Sequence, residues 1–525
     1  MPTLTIKLKQ HTPLILFQHD QEGATLRASE VKPKLDKFVL TKLKGSEKYD
    51  QGVKEGWIKN KNGKEWLDYK MKIEVKNDDF VSEIVLKTEK KNNKWITFWN
   101  SKKTIIKDGK NVIVQKKETT FPFLMANMGG KNAEEDLMNF SYYKKVEITI
   151  SSKSVFLSDT IYNNICSFFA LNNFGQRQDK GFGSFTVTNI KKDDQEETIE
   201  WLKEHKNYYK DKTPVLEYQL FPKEDSIYKY NMLFSVLDFY WKCLKSGVNY
   251  TERVEGNPVN RIHEERYIKS FLWTYLNNKS NDNTDSHLTW EKRKIKTAFS
   301  LETLYPSEIH VDNNHTAIFA RGMMGCPDSF TYFVPQNIFE TDIKTKKKVE
   351  KKIKYTINIE NVKEHDHHDG IQRIPSPIIF KPVIVDDNKV KVYILFDETI
   401  IKKLSKLSED ERKFRFLKNN NRNNPIEISI DSSCINFREL IENYHRHFFT
   451  NDDYIASLWG SYENGEWQSA KIEEKFDPET RQMKKYCYGI DISNKMIPRS
   501  NKWANILEFD SNDKDKDKYV TFSQI

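Results

Sequence analysis

The segment Phe174-Gly175-Gln176-Arg177-Gln178-Asp179-Lys180-Gly181-Phe182-Gly183-Ser184-Phe185-Thr186-Val187 places three glycines and two cations between a predicted helix and a predicted strand. Glycine lets the backbone approach a neighbouring group closely, because it has no Cβ. Arg177 and Lys180 in the same loop indicate that this group is anionic. The segment, called the glycine loop below, therefore predicts a partner that carries phosphate.

The elements on either side of the glycine loop predict a split β and α pattern. Apolar residues recur at helical spacing over about 157–172, after a predicted strand at 144–151. The chain begins with alternating polar and apolar residues over 3–8, and a helix that Ser29 is expected to cap follows at about 29–40. This order is typical of a ferredoxin-like, RRM-type sheet. The sequence thus predicts an α+β fold.

Two domains are predicted along the chain. The first covers 1–195 and carries an insertion of β-hairpins at about 54–123, where period-two segments alternate with turn residues. The second covers 196–525, with a helix from Gln195 near its start and a helical insertion at about 227–300 that includes helices at 264–277 and 290–299. A strand at 215–220 leads into a helix at 228–244, so the strand-to-helix opening repeats and an internal duplication is expected.

Composition sets the class of protein. A chain of 525 residues is too long for one ordinary domain, and its 37% hydrophobic content excludes global disorder. Lys and Arg total 85 against 76 Asp and Glu, a net charge of +9 that allows a nucleic-acid partner without requiring one. The five cysteines include no CxxC pair, which argues against a zinc ribbon. With no apolar run of membrane-spanning length and no signal peptide at the N-terminus, we expect a cytoplasmic protein.

Ordered motifs carry a family resemblance. The first half contains Thr12-Pro13-Leu14, Leu26-Arg27-Ala28-Ser29-Glu30-Val31-Lys32 and then the glycine loop. The second half contains Ala320-Arg321-Gly322-Met323-Met324-Gly325-Cys326-Pro327 and Gln372-Arg373-Ile374-Pro375-Ser376-Pro377-Ile378. In this order they resemble the RAMP superfamily of CRISPR RNA-guided effector subunits, and within it the type III-B (Cmr) complexes. The glycine loop departs from the family pattern, because Gln176, Gln178 and Asp179 stand where Gly and Arg are usual.

The resemblance implies two ferredoxin-like domains in a subunit of a ribonucleoprotein that serves antiviral defence. Such a subunit contacts guide CRISPR RNA and target RNA near one end of the complex, assembles with other RAMP subunits, needs no cofactor and is not itself the nuclease. Phosphate contacts of this kind weaken as salt rises.

Candidate RNA-binding residues come from the loop, from the start of the first predicted helix and from the second-half motifs. Phe182 and Phe185 are suited to stacking on unpaired bases, although a tight turn with both rings in the core explains them as well. Solvated cations or structural salt bridges are the alternatives for the basic residues. The candidates are Arg27, Lys32, Lys34, Gly175, Arg177, Lys180, Gly181, Phe182, Gly183, Arg321 and Arg373.

Catalytic candidates are few. Asp20 follows the first strands in a flexible loop, where RAMP subunits that cut target RNA place an aspartate, and a solvated turn carboxylate is its alternative role. The tract His365-Asp366-His367-His368-Asp369 has the ligand types that zinc or manganese prefers, but adjacent side chains cannot all converge on one ion. A metal-dependent endoribonuclease that uses these residues is therefore the alternative function. The sequence contains no GxSxG or Walker-type motif.

Overall fold

A computed structural model describes the chain over most of its first two hundred residues and over parts of the remainder. Two compact units divide the chain: one comprises 1–239, 379–395 and 448–525, and the other comprises 240–378 and 396–447. Both mix helices with antiparallel strands. The described residues are 2–16, 25–75, 80–91, 94–107, 110–118, 139–200, 208–209, 213, 215–219, 230–253, 263–268, 270–281, 288–301, 316–341, 348–362, 374–386, 389–450, 460–463, 466–469, 471–477, 482–488 and 520–521.

Most of the described helices and strands of the first unit lie in the first 200 residues. The elements are β1 (Thr3–Gln10), β2 (Leu14–Leu16), α1 (Ala28–Leu43), α2 (Glu47–Lys54), β3 (Ile58–Lys61), β4 (Lys64–Leu67), β5 (Tyr69–Glu74), β6 (Phe80–Lys91), β7 (Lys94–Lys107), β8 (Lys110–Glu118), β9 (Asn139–Tyr143), β10 (Val146–Ser152), α3 (Val155–Leu171), a 3-10 turn (Gln178–Lys180), β11 (Phe185–Lys192) and β12 (Gln195–Thr198).

One sheet organises this part of the chain. Its strand order is β12-β11-β1-β10-β5, and every neighbouring pair is antiparallel. In the register of the central strands, Ile6 of β1 lies opposite Ile148 of β10 and Ile190 of β11. Apart from β12, the chain order is β1, α1, β5, β10, α3, β11, so the predicted split β and α order is observed. The expected helix from Gln195 is wrong, since this segment pairs with β11 as β12.

Alternation along β1 directs Leu4, Ile6 and Leu8 into a core, where they are completely buried. α1 and α3 contribute to the same core. Ser154 caps the start of α3, where its side chain accepts from the N–H of Leu157 at 3.2 Å. α1 starts one residue before Ser29, at Ala28, with Arg27 in the N-cap position and no side-chain cap, so the expected Ser29 cap is wrong.

Two hairpin systems accompany this sheet. In the larger one, the strand order is β2-β9-β6-β7-β8, and β6, β7 and β8 are strands in the segment where the period-two pattern predicts them. In the smaller one, β3 and β4 pair through Asn62 and Gly63, whose φ values of 54° and 77° are those of a type I′ turn.

The rest of the first unit includes a second large sheet and the start of a helix at Asn231–Lys245. Gly460–Glu463 pairs with Glu466–Ser469. The strands of the sheet, in spatial order, are Ile378–Asp386, Lys389–Phe396, Val215–Gln219, Val520–Thr521, Gln482–Tyr488 and Lys471–Asp477.

The second unit contains a sheet with the order Leu288–Trp290, Thr316–Ile318, Ile426–Ser429, Lys413–Lys418, Lys348–Asn361 and Ser329–Thr341. A separate pair joins Val248–Arg253 to His263–Ile268. The helix expected over 264–277 is therefore displaced, because His263–Ile268 is a strand. The described helices are Phe271–Asn281, Glu291–Ala298, Ala320–Met323, Glu398–Ser405 and Phe437–Thr450, with 3-10 turns at Asp410–Arg412 and Ser432–Cys434.

Across the described ranges, no helix combines the length and the apolar character needed to cross a membrane.

Candidate nucleic-acid interface

The glycine loop leaves α3, passes through the 3-10 turn and enters β11. Its backbone is left-handed at Gly175, Gly181 and Gly183, where φ is 78°, 90° and 64°. Arg177 is left-handed as well, with φ at 52°. The glycines therefore meet a real conformational requirement, because side chains with a Cβ are disfavoured in this region.

The close approach that these glycines permit is to protein atoms. A Cβ added at Gly183 would lie 1.9 Å from the carbonyl oxygen of Phe174, and one at Gly175 would lie 2.6 Å from the carbonyl oxygen of Ile15. At Gly181 the nearest atom would be Cγ of Pro382, at 2.9 Å. Packing within the first unit thus accounts for the three glycines.

The backbone amides of the loop also have protein acceptors. Gly175 N–H donates to Oε1 of Glu30 at 2.7 Å, and Gly183 N–H donates to the carbonyl of Pro13 at 2.8 Å. Gly181 N–H donates to the carbonyl of Gln178 at 3.3 Å. This corrects the expectation of a cradle of amides for phosphate, because these donors already have partners.

Phe182 and Phe185 lie in the core, where both are completely buried. Phe182 stacks on Phe234, with ring centroids 3.9 Å apart and planes 5° apart. Phe185 meets the ring of Phe174 edge-on, with centroids 6.1 Å apart. The expectation that these rings stack on unpaired bases is therefore corrected, because both rings pack against protein.

The structure brings the start of α1 and the glycine loop together. Lys34 donates from Nζ to Oε1 of Gln178 and Oε1 of Glu30, both at 2.9 Å, and to the carbonyl of Asn173 at 3.3 Å. Its ammonium also lies 5.0 Å from the ring centroid of Phe174. Lys34 thus fastens the loop to α1, a contact that serves the fold whether or not RNA is bound.

Lys32 and Arg27 have different surroundings. Lys32 donates from Nζ to Asp36 at 2.8 Å and to the carbonyl of Leu67 at 2.9 Å, and lies over the ring of Tyr69. Arg27 is half-buried, and its carbonyl accepts the N–H of Glu30 and of Val31. Lys32 therefore holds β4 against α1, a role that the sequence did not indicate.

Arg177 and Lys180 are the loop's cations, and both are partly buried. Burial lowers the pKa of the Arg177 guanidinium and of the Lys180 ammonium, while the charge of Asp179 acts in the opposite direction on both. Nζ of Lys180 lies 3.6 Å from the carboxylate of Asp179. A phosphate bound by Arg177 and Lys180 would therefore share these two cations with Asp179.

Two buried basic side chains near the glycine loop, Lys381 and His11, were not predicted from the sequence. Lys381 is fully buried, and burial holds the pKa of its ammonium well below the usual range. His11 bridges the Oγ1 of Thr186, at 2.6 Å, and the N–H of Ile384, which donates to Nδ1 at 3.0 Å. No local pattern marks Lys381, because a lysine in a strand ordinarily points to solvent.

Arg321 lies in the second unit and is buried there. It forms an ion pair with Glu291 and lies 3.7 Å from the ring centroid of Phe330. Burial acts to lower the pKa of Arg321, but the charges of Glu291 and Tyr332 outweigh it and the pKa is raised. The predicted phosphate contact is corrected to a structural ion pair, since the guanidinium is enclosed by protein.

Several predicted residues lie outside the described residues. They are Arg373, Asp20 and the tract His365 to Asp369. Within the part of the chain that the structure describes, no three His, Cys, Asp or Glu side chains form a group that could hold a metal ion.

Comparison with known families identifies the chain. The family model of the Cmr1 N-terminal domain matches residues 1–248, and that of the Cmr1 C-terminal domain matches residues 267–458. The chain therefore belongs to the Cmr1 family of CRISPR-associated RAMP proteins.

Similar solved structures include "Cryo-EM structure of the Type III-B Cmr-beta bound to cognate target RNA", with 11% identity, a TM-score of 0.23, and coverage of 77% of this chain and 98% of the other. A second is "Cryo-EM structure of the Type III-B Cmr-beta bound to cognate target RNA and AMPPnP, state 2, in the presence of ssDNA", with 9% identity, a TM-score of 0.21, and coverage of 84% and 98%. At these TM-scores neither likeness carries an argument about this chain. No curated protein matches it.

Proposed function

We propose that this chain is a non-catalytic RNA-binding and assembly subunit of a type III-B CRISPR effector complex, contacting guide and target RNA near one end of that complex. The observation that carries the proposal is the match to both Cmr1 domains, which together span most of the chain. The net charge of +9 is compatible with an RNA partner. The order of β1, α1, β5, β10, α3 and β11 supports a ferredoxin-like domain of RAMP type in the first unit.

The contacts of the glycine loop limit which of its residues we propose for RNA binding. Its glycines, amides and aromatic rings have protein neighbours, so Arg177 and Lys180 are the loop residues that we assign to phosphate. Phosphate contacts strengthen binding of every sequence alike, because they carry no base information. The glycine loop then contributes the positive charge of Arg177 and Lys180, while its backbone conformation is set by packing against the rest of the first unit.

Assembly and RNA binding can be tested in one preparation. Expression of the tagged chain with the neighbouring effector subunits is expected to yield a complex that contains a small guide RNA, identified by sequencing. The purified chain is expected to bind unstructured single-stranded RNA with an affinity that falls as salt rises. A chain that neither enters such a complex nor binds RNA would overturn the proposal.

The loop has its own test. Arg177→Ala with Lys180→Ala is expected to weaken RNA binding uniformly and to lower the slope of log K against log salt by about 1.4, since each phosphate contact to a single strand contributes about 0.7. Lys48→Ala with Lys54→Ala, two exposed lysines of α2, is the control of equal charge. An unchanged slope in the loop variant would assign the loop to folding alone.

The non-catalytic part of the proposal is tested by incubating the chain with RNA and Mg²⁺ or Mn²⁺. We expect no cleavage. Cleavage that is lost in Asp20→Ala or His367→Ala would establish the alternative, a metal-dependent endoribonuclease that uses Asp20 and the tract His365 to Asp369. Cleavage retained in both variants would remove those residues from the catalytic hypothesis while still contradicting the non-catalytic assignment.

A further inference from the structure

An open groove of about 530 Å³ runs between α1 and the β3–β4 hairpin of the first unit. It is called the α1 groove here, and α1 lines it from Lys32 to Lys44 while the hairpin contributes Lys64, Glu65 and Trp66. Its volume lies within the range of about 300–1,000 Å³ that is typical of small-molecule sites. The groove is therefore large enough for one nucleotide.

The groove has an excess of positive charge. Lys32 is paired with Asp36, so these two charges offset each other. The carboxylate of Glu65 accepts a hydrogen bond from the hydroxyl of Tyr49.

Three further lysines line the groove, and each is exposed. Among the described residues, none forms a hydrogen bond or an ion pair with the ammonium group of Lys37, Lys44 or Lys64; the hydrogen bonds that Lys37 and Lys44 do make are through their backbones. Four lysines thus face two carboxylates, a net charge of +2. A groove with cations that lack counter-ions favours an anionic ligand.

Trp66 gives the groove an aromatic surface. It lies on β4 opposite Lys59 and is 36% exposed, whereas the neighbouring Leu67 is fully buried. An exposed indole among lysines combines a flat stacking face with charges for the backbone, which is the combination that single-stranded nucleic acid requires. A purely anionic ligand such as inorganic phosphate would make no use of the ring.

The groove is held open by contacts that do not involve the ligand. Lys32 connects β4 to α1 through the carbonyl of Leu67 at 2.9 Å. The hydroxyl of Tyr49, on α2, bonds to Glu65 of the same strand. Because these contacts fix the hairpin before a ligand arrives, little ordering is needed on binding.

We propose that the α1 groove binds an unpaired nucleotide of single-stranded RNA, with the base stacked on Trp66 and the adjoining phosphates held by Lys37, Lys44 and Lys64. This rests on the proposed function, since it locates a contact of an RNA-binding subunit. The groove and the glycine loop have no lining residue in common, so the RNA contact proposed for each can be removed by substitutions that leave the other unchanged.

The test measures binding of a fluorescent, unstructured single-stranded RNA to the full chain by anisotropy over a series of salt concentrations. Trp66→Leu is expected to weaken binding roughly 5- to 150-fold, the range found when a stacking aromatic is removed, and Trp66→Phe is expected to retain most of it. Phe156→Ala, at an aromatic side chain that is 56% exposed on α3, is the control for loss of an exposed ring.

The charge contribution is tested with Lys37→Ala, Lys44→Ala and Lys64→Ala combined. Loss of three contacts is expected to lower the salt slope by about 2. Lys48→Ala with Lys54→Ala, outside the groove, is expected to leave the slope near that of the parent chain. Urea-unfolding midpoints for all variants establish that the fold is retained.

The outcomes separate the two proposals. If the parent chain binds RNA while the Trp66 and triple-lysine variants bind as their controls do, the α1 groove is overturned and the proposed function stands. If the parent chain binds no single-stranded RNA, the α1 groove is overturned, and the proposed function falls with it only if the chain also fails to enter a complex that contains a guide RNA. Weakening in Trp66→Leu and in the triple-lysine variant, with unchanged controls, would support the groove.

Discussion

Nζ of Lys381 lies 2.9 Å from the carbonyl oxygen of Phe185, so a buried amine of one strand is bound to the first residue of another. The same nitrogen donates to the carbonyl of Asn172 at 2.8 Å. Asn172 precedes the glycine loop and Phe185 lies near its C-terminal end. Lys381 therefore ties both ends of the loop to one side chain, and it does so without a carboxylate at hydrogen-bonding distance among the described residues.

Lys381→Met is expected to reduce the pH dependence of stability. Burial holds the pKa of Lys381 well below 10.5 in the folded chain, so the unfolded chain binds this proton more tightly. Between the folded pKa and 10.5, the free energy of unfolding of the parent chain therefore rises with pH, by up to about 1.4 kcal/mol per unit. Urea unfolding at pH 7 to 10 measures the slope. Lys48→Met, at an exposed lysine, is the control. The expectation is contradicted if the free energy of unfolding of the parent chain, Lys381→Met and Lys48→Met changes with pH in the same way.

His11→Gln is expected to make the protein less sensitive to acid. Burial, with the charges of Lys9 and Lys381, holds the pKa of His11 well below 6.5. As pH falls from 6.5 towards the folded pKa, the unfolded chain takes up a proton that the folded chain does not, so stability is lost. The variant lacks this loss, and its unfolding midpoint should fall less steeply below pH 6.5. Equal acid sensitivity in both proteins would contradict this account.

Gly183→Ala is expected to destabilise the first unit by at least about 3 kcal/mol. The new Cβ would lie 1.9 Å from a backbone oxygen, at φ 64°. Strain in a left-handed residue contributes roughly 1–3 kcal/mol, and the clash adds to it. Gly45→Ala is the control, because its φ is 82° and no atom lies within 4 Å of the added Cβ. Similar unfolding midpoints for the two variants would exclude the clash as the main cause.

Arg321→Met is expected to cost about 3–5 kcal/mol in the second unit, because it leaves Glu291 buried without its partner. Arg415→Met, which breaks the more exposed pair with Glu427 at 2.8 Å, should cost about 1 kcal/mol or less. Replacing Arg321 and Glu291 together by apolar residues should cost less than Arg321→Met alone. Chemical unfolding of the three variants distinguishes a structural ion pair from a residue that serves only RNA.

The first sheet was predictable because its signals are local. Alternation in β1 and helical spacing in α1 and α3 each report which face of an element is buried, and the observed bounds follow them closely. The prediction of a helix from Gln195 was wrong, because this charged segment pairs with β11 as an edge strand. Strand pairing depends on a partner that helical propensity does not report. The predicted helix at 264–277 began too early for the same reason, because His263–Ile268 pairs with Val248–Arg253 as a strand.

The site was less predictable than the fold. The glycines were correctly recognised as places of close approach, but the sequence does not state what approaches them. Ile15, Glu30 and Pro382 occupy those positions, and Pro382 is some two hundred residues away along the chain. Trp66 was recognisable only as part of a strand, since exposure on the outer side of a hairpin depends on how the hairpin packs against α1.

The return of Ile378–Asp386 to the first unit has a consequence for biosynthesis. Ser184 and Asn173 donate to the carbonyls of Pro382 and Phe380, across 198 and 207 residues. A ribosome that has released β11 must translate nearly two hundred more residues before these acceptors exist. The glycine loop thus stays incomplete while residues 240–378 of the second unit are made, and the first unit can finish folding only after most of the chain has emerged.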